Sequence, residues 1–111
     1  MSVSTHVLDA VLGTPAAGVT VRLEGPLGTG DDAVSWISAV TDDDGRVKDF
    51  GSAPQEAGSY RLTFETGAWF AAQDRETFYP EIVVTFTYVG DGHVHVPILL
   101  SPFSYTTYRG S

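Results

Sequence analysis

The 111-residue chain has no cysteine, which excludes disulfides and thiolate chemistry and suits a reducing compartment. Basic residues are scarce. Six Lys and Arg stand against fourteen Asp and Glu, giving a net charge of −8. A body this acidic repels nucleic acid and anionic lipid, so neither is expected as a partner. Long apolar runs are also missing, and none approaches the ~18 residues that a membrane-spanning helix needs. Met1-Ser2-Val3-Ser4-Thr5 offers neither a basic n-region nor an apolar h-region. Arg109-Gly110-Ser111 is not a peroxisomal address of the Ser-Lys-Leu kind. The cytoplasm is therefore the expected location. With cations so few, any clustering of Arg, Lys and His would form a local cationic pocket. Such a pocket would suit an electron-rich, carbonyl-bearing or anionic small molecule.

What is present is mostly alternation. A hydrophobic share of 42% over this length fits one globular domain, residues 1–111, able to bury a modest core. Val3, Thr5 and Val7 alternate with Ser4, His6 and Leu8 in a first strand, Val3 to Asp9. Val19 to Glu24 repeats the pattern and is followed by a glycine-rich loop from Gly25 to Asp32. Further strands are expected over Val34 to Thr41, Arg46 to Phe50, Ser59 to Glu65, Ile82 to Val89, His93 to Leu100 and Tyr105 to Arg109. Asp42-Asp43-Asp44-Gly45 is a tight turn, because Asp-Gly readily supplies positive φ. It lacks the alternating ligands and distal Glu of a calcium loop. Only Gly67 to Arg75 breaks the period of two, reading as about two helical turns with Thr66 as a possible N-cap. Eight short strands and one short helix predict an all-β sandwich of two sheets.

Side-chain parity marks both ends of the chain. Val94, Val96 and Ile98 share one face of their strand, leaving His93, His95 and Pro97 on the other. His6 likewise lies opposite Val3 and Val7. If the valines build the core, His6 and His95 project outward. Two readings are open for them. They are solvated unless a loop or another subunit covers them, or they are zinc ligands with His93. No cysteine or well-spaced carboxylate accompanies the zinc reading. The final residues, Tyr108-Arg109-Gly110-Ser111, bring a phenol, a guanidinium and a carboxylate to a place where most domains fray.

These segments carry a resemblance. Ser4-Thr5-His6-Val7-Leu8-Asp9, Asp44-Gly45-Arg46, Tyr79-Pro80-Glu81, His95-Val96-Pro97-Ile98-Leu99-Leu100-Ser101-Pro102 and Tyr105-Thr106-Thr107-Tyr108-Arg109-Gly110-Ser111 follow in order along the whole chain. They resemble the motifs of the 5-hydroxyisourate hydrolase family of transthyretin-like proteins. The Tyr-Arg-Gly-Ser ending is the most discriminating, since hormone-carrying transthyretins share the fold without it. Tyr79 stands where the family more often has Phe.

The resemblance implies a transthyretin-like, eight-stranded two-sheet β-sandwich that assembles as a homotetramer, a dimer of dimers, with sites in a channel between dimers. A second subunit would then cover the outward histidines. The reaction implied is opening of the cyclic amide of 5-hydroxyisourate by water, giving 2-oxo-4-hydroxy-4-carboxy-5-ureidoimidazoline in urate degradation. No metal or organic cofactor is implied. His6, Arg46, His95 and Ser111 would be catalytic. His6, Arg46, Tyr108, Arg109 and Gly110 would hold the substrate. The two imidazoles would share base and acid roles, in an order the residues leave open. Arg46 would face substrate carbonyls or the oxyanion. His93 is not carried over and is read as a solvated residue at a strand start. The alternative is a transthyretin-type carrier without catalysis.

Overall fold

A computed structural model describes residues 2–27, 35–50 and 56–110. Its elements are β1 (Ser2–Asp9), β2 (Thr14–Pro15), β3 (Thr20–Leu27), β4 (Ser35–Val40), β5 (Arg46–Val47), β6 (Gly58–Phe64), α1 (Thr66–Ala71), β7 (Ile82–Tyr88), β8 (His93–Ser101) and β9 (Ser104–Thr107). One sheet runs β2-β1-β8-β9, with β5 also on β1, and the other runs β4-β3-β6-β7. The eight expected strands are all present. Two-residue β2 is an addition, formed where the turn after β1 folds Pro15 back against Leu8. The start expected at Val34 lies outside the described residues.

The inner faces meet as alternation requires. Val3, Val7, Val96, Ile98 and Leu100 of one sheet pack against Val21, Leu23, Leu62, Phe64 and Ile82 of the other, all buried. Each contributes about 1.5–3 kcal/mol relative to exposure. Thr5 shares the core parity and is fully buried, its hydroxyl satisfied by donating to the Val96 carbonyl at 2.6 Å.

Element ends differ from expectation for local reasons. β3 continues to Leu27 through a register shift between Glu24 and Leu27, because Pro26 lacks the N–H that a regular ladder would use. β5 stops at Val47. α1 starts one residue early and stops at Ala71. Thr66 is not its cap. The Glu65 N–H donates to Thr20 O, which fixes Glu65 at the cap position and draws Thr66, buried, into the first turn.

Beyond α1 the chain is held by an ion pair. Arg75 Nη1 donates to Asp9 Oδ2 at 2.7 Å, and the guanidinium packs over Phe70 and Trp69. Asp9 Oδ1 also accepts from the Val11 and Leu12 N–H groups. Burial pushes the Asp9 carboxyl pKa upward, but the Arg75 bond and these amides outweigh it, leaving the pKa below the usual 3.8. The stability it contributes is therefore present above the ordinary pKa and lost as pH falls through the lowered one. Asp9→Asn is expected to cost about 2–3 kcal/mol, below the 3–5 kcal/mol of a wholly buried pair. Arg75 keeps 21% exposure and can be partly rehydrated. Urea unfolding at pH 7 measures the loss.

Candidate active site

The site is made by one unusual pairing. β1 lies parallel to β8, so residues some ninety positions apart sit side by side: Ser2 opposite His93, Ser4 opposite His95, and His6 opposite Pro97. On the other edge of β1, antiparallel β5 sets His6 opposite Arg46. With Val3, Val7, Val96 and Ile98 committed to the core, Ser4, His6, His93 and His95 occupy the outer face.

The acidic turn before β5 holds this arrangement. Asp42 Oδ1 accepts from the N–H groups of Asp44 and Arg46 at 2.9 and 3.0 Å, and the Gly45 N–H donates to Asp42 O. The hydrogen bond from Arg46 leads the effects that hold the Asp42 carboxyl below its usual 3.8. Gly45 has φ +75°, and a Cβ there would collide with Val7 O, so only glycine closes the turn. Its carbonyl accepts the Val7 N–H at 2.7 Å, and the Asp44 carbonyl lies 2.9 Å from His6 Nε2. A carbonyl can only accept, so His6 carries a proton on Nε2.

His95 is half-buried. Its Nδ1 lies 2.7 Å from Ser4 Oγ, which also lies 2.8 Å from His93 Nε2. Burial lowers the His95 pKa below 6.5, and the positive charge of Arg46, with His93 and His6, lowers it further. At neutral pH His95 is thus an unprotonated imidazole beside fixed cations, the state required of a general base. A recess of about 220 Å³ is lined by Ser4, Thr5, Arg46, Lys48, His93 and His95.

The last residues turn back onto this face. β9 pairs with Ile98–Ser101, after which Gly110 bridges to His95, its N–H donating to His95 O at 2.9 Å. A Cβ on Gly110 would stand 2.5 Å from His95 Cδ2 and 3.1 Å from Pro97 Cγ. Glycine is what lets the tail lie flat on the imidazole. Tyr108 and Arg109 then border a larger cleft of about 470 Å³ with His93, His95, Val84 and Phe86.

Residues 3–110 match the HIUase/Transthyretin family. The 5-hydroxyisourate hydrolase of Salmonella dublin is 43% identical over 110 residues, covering 97% of this chain and 79% of that protein. The chain belongs to the HIUase/transthyretin family. The solved structure of Klebsiella pneumoniae 5-hydroxyisourate hydrolase is 44% identical and covers all of both chains, with a TM-score of 0.85. Sea bream transthyretin, solved in complex with thyroxine, is 33% identical at TM-score 0.86, covering 99% of this chain and 95% of that one. Backbone shape is therefore common to hydrolases and transthyretins in this family. Sequence separates them.

Within this HIUase/transthyretin fold the expected site residues are distributed as follows. Arg46 and His95 share the smaller recess, Tyr108 and Arg109 border the larger cleft, and His95 belongs to both. His6 lines neither; it neighbours Arg46 across the β1–β5 ladder and points Nε2 at Asp44 O. Gly110 touches His95. Ser111 lies outside the described residues. His93 corrects the sequence reading: although exposed, it is bonded to Ser4 rather than merely solvated. Among the described residues no group of three His, Cys, Asp or Glu could hold a metal ion. Ser4 and Lys48 were missed. Both lie two residues from a chosen one, Ser4 before His6 and Lys48 after Arg46, so strand parity carried a signal for each.

Proposed function

We propose that this chain hydrolyses 5-hydroxyisourate, adding water across its cyclic amide to give 2-oxo-4-hydroxy-4-carboxy-5-ureidoimidazoline. The observation that carries the reading is a half-buried, neutral His95 set beside Arg46 and His6 on one sheet face. A carrier needs a cleft but no proton-transfer pair. Identity of 44% to a hydrolase over the full chain, against 33% to a transthyretin, points the same way.

In this reading His95 takes a proton from the attacking water. Arg46 presents its planar fork of donors to the carbonyl oxygen as negative charge develops there. The Nε2–H of His6 is tied to Asp44 O, so Nδ1 is the nitrogen through which His6 would exchange a proton with the leaving nitrogen. Tyr108, Arg109 and the Gly110 backbone hold the substrate ring against His95, with Ser111 completing the catalytic set. Neither metal nor organic cofactor enters this scheme. Carbon-13 NMR of 5-hydroxyisourate freshly made by uricase tests the product: the carboxylated ureidoimidazoline should grow in faster with the protein present. Signals unchanged from the spontaneous reaction would remove the reading.

The pH dependence has a definite sign. His95 works unprotonated and its pKa lies below 6.5, so kcat/KM should hold as pH drops past 6.5 and fall only at lower pH. A profile already halved at or above pH 6.5 would contradict His95 as the base.

The homotetramer belongs to the same proposal. Among the described residues both sheets end in strands whose outer edges no strand pairs, β7 and β9, and β9 is exposed throughout. Val11, Leu12, Leu99 and Tyr105 add exposed apolar surface. Pairing of the strand edges between copies would make dimers, and packing of the histidine-bearing faces would enclose the sites. Light scattering should give four times the chain mass; an active monomer would contradict the assembly. A cytoplasmic location, in keeping with the cysteine-free chain, is checked by cell fractionation.

A further inference from the structure

Ser4 Oγ stands between two imidazoles, 2.8 Å from His93 Nε2 and 2.7 Å from His95 Nδ1. A hydroxyl owns one proton, so it donates to one ring and accepts from the other. Ser4 is 6% exposed, and the two rings lie close to parallel at 18°. With one proton on the hydroxyl, the link runs in one direction at a time.

The two directions differ chemically. When Ser4 donates to His93, it accepts from His95 Nδ1–H, and His95 Nε2 holds a lone pair. When Ser4 donates to His95, the neutral ring carries its proton on Nε2 and is no base there. We propose that His93 is a positioning residue that acts through Ser4, holding His95 in the tautomer with Nε2 free and taking up the proton when that base is used. This rests on the hydrolase reading and gives it a proton path.

The step balances without any further reactant. Water loses a proton to His95 Nε2 as its oxygen bonds to the amide carbon. His95 Nδ1–H passes to Ser4 Oγ, and the Ser4 proton passes to His93 Nε2. Ser4 and His95 end neutral, with the positive charge on His93. That transfer moves charge from a half-buried ring to an exposed one, where water solvates it. Among the described residues, the titratable and charged groups that face His95 are His6 on β1, Arg46 and Lys48 at β5, His93 on β8, and Tyr108 and Arg109 from the tail, and the charge of Arg46 and His6 disfavours a proton held on His95. The acidic group bordering the larger cleft is Asp91, two residues before His93.

The test compares H93A, S4A, S4T and the H93A/S4A double variant with the intact chain, in decay assays on uricase-generated substrate. H93A and S4A should each lower kcat by about tenfold or more, with KM within about twofold. S4T restores the hydroxyl and should recover most of the activity lost in S4A. Both single changes break one link, so the double variant should be no slower than the worse single one. His93 lowers the His95 pKa, so its removal should move the acid limb of kcat to higher pH. A merely structural role would leave that limb in place. An unchanged kcat in H93A, multiplicative losses in the double variant, an unmoved limb, or S4T as impaired as S4A would each overturn the relay. Intact protein without turnover would instead overturn the hydrolase reading, and the relay with it.

Discussion

Replacing His95 with Asn should lower kcat by about 10²–10⁴, the range that general base catalysis supplies. Asparagine is a demanding substitute, because its amide can still reach Ser4 Oγ from about the place of Nδ1. What it lacks is a basic nitrogen at the Nε2 position. His95 lies on the outer face of β8, while the neighbouring Val96 and the strand's Ile98 and Leu100 fill the core, so packing should survive. The loss then belongs to chemistry rather than to folding. Turnover assays at saturating substrate, alongside thermal melts, separate the two. A loss smaller than about tenfold with an unchanged melt would remove His95 from the base role.

Deleting Tyr108 to Ser111 should abolish turnover, leaving below about one per cent of kcat/KM, since lost orientation of the reacting groups alone can cost several kcal/mol. β9 would keep its ladder to Ile98–Ser101, and the Thr107 hydroxyl would keep its bond to Pro97 O. Tyr108 is 55% exposed and Arg109 is exposed, so little core is lost. Tm should fall by about 5 °C or less, the shift expected from about 1 kcal/mol in a domain of this size. What disappears is one wall of the cleft and the backbone that lies on the His95 ring. A truncated protein retaining half its activity would sink the role given to the tail.

Alternation was enough to find the longer strands of both sheets, because each of them covers one face against the other sheet; β9, exposed throughout, was marked instead by the break at Ser101-Pro102. Parity also put His6 and His95 on outer faces before any pairing was known. The pairing itself was not legible. Nothing in Ser2–Asp9 or His93–Ser101 states that they run parallel, yet that register is what seats Ser4 against His95. His93 read as solvated because its exposure is real, and its bond to Ser4 exists only across strands. Thr66 looked like a cap because Thr caps helices by its local geometry. A long-range bond from the Glu65 N–H to Thr20 O decided otherwise. The triple aspartate read as a solvated turn, which it is. Its second role, holding His6 through the Asp44 carbonyl, depends on β5 pairing beside β1.

The central claim is that this face of the sandwich performs hydrolysis rather than merely binding a ligand. The most direct measurement is the ultraviolet decay of 5-hydroxyisourate, made in place by uricase, followed at increasing concentrations of the intact protein. The account predicts a decay rate that rises in proportion to protein and exceeds the spontaneous rate. A decay that stays at the spontaneous rate, or slows as a binding protein sequesters the compound, would contradict it.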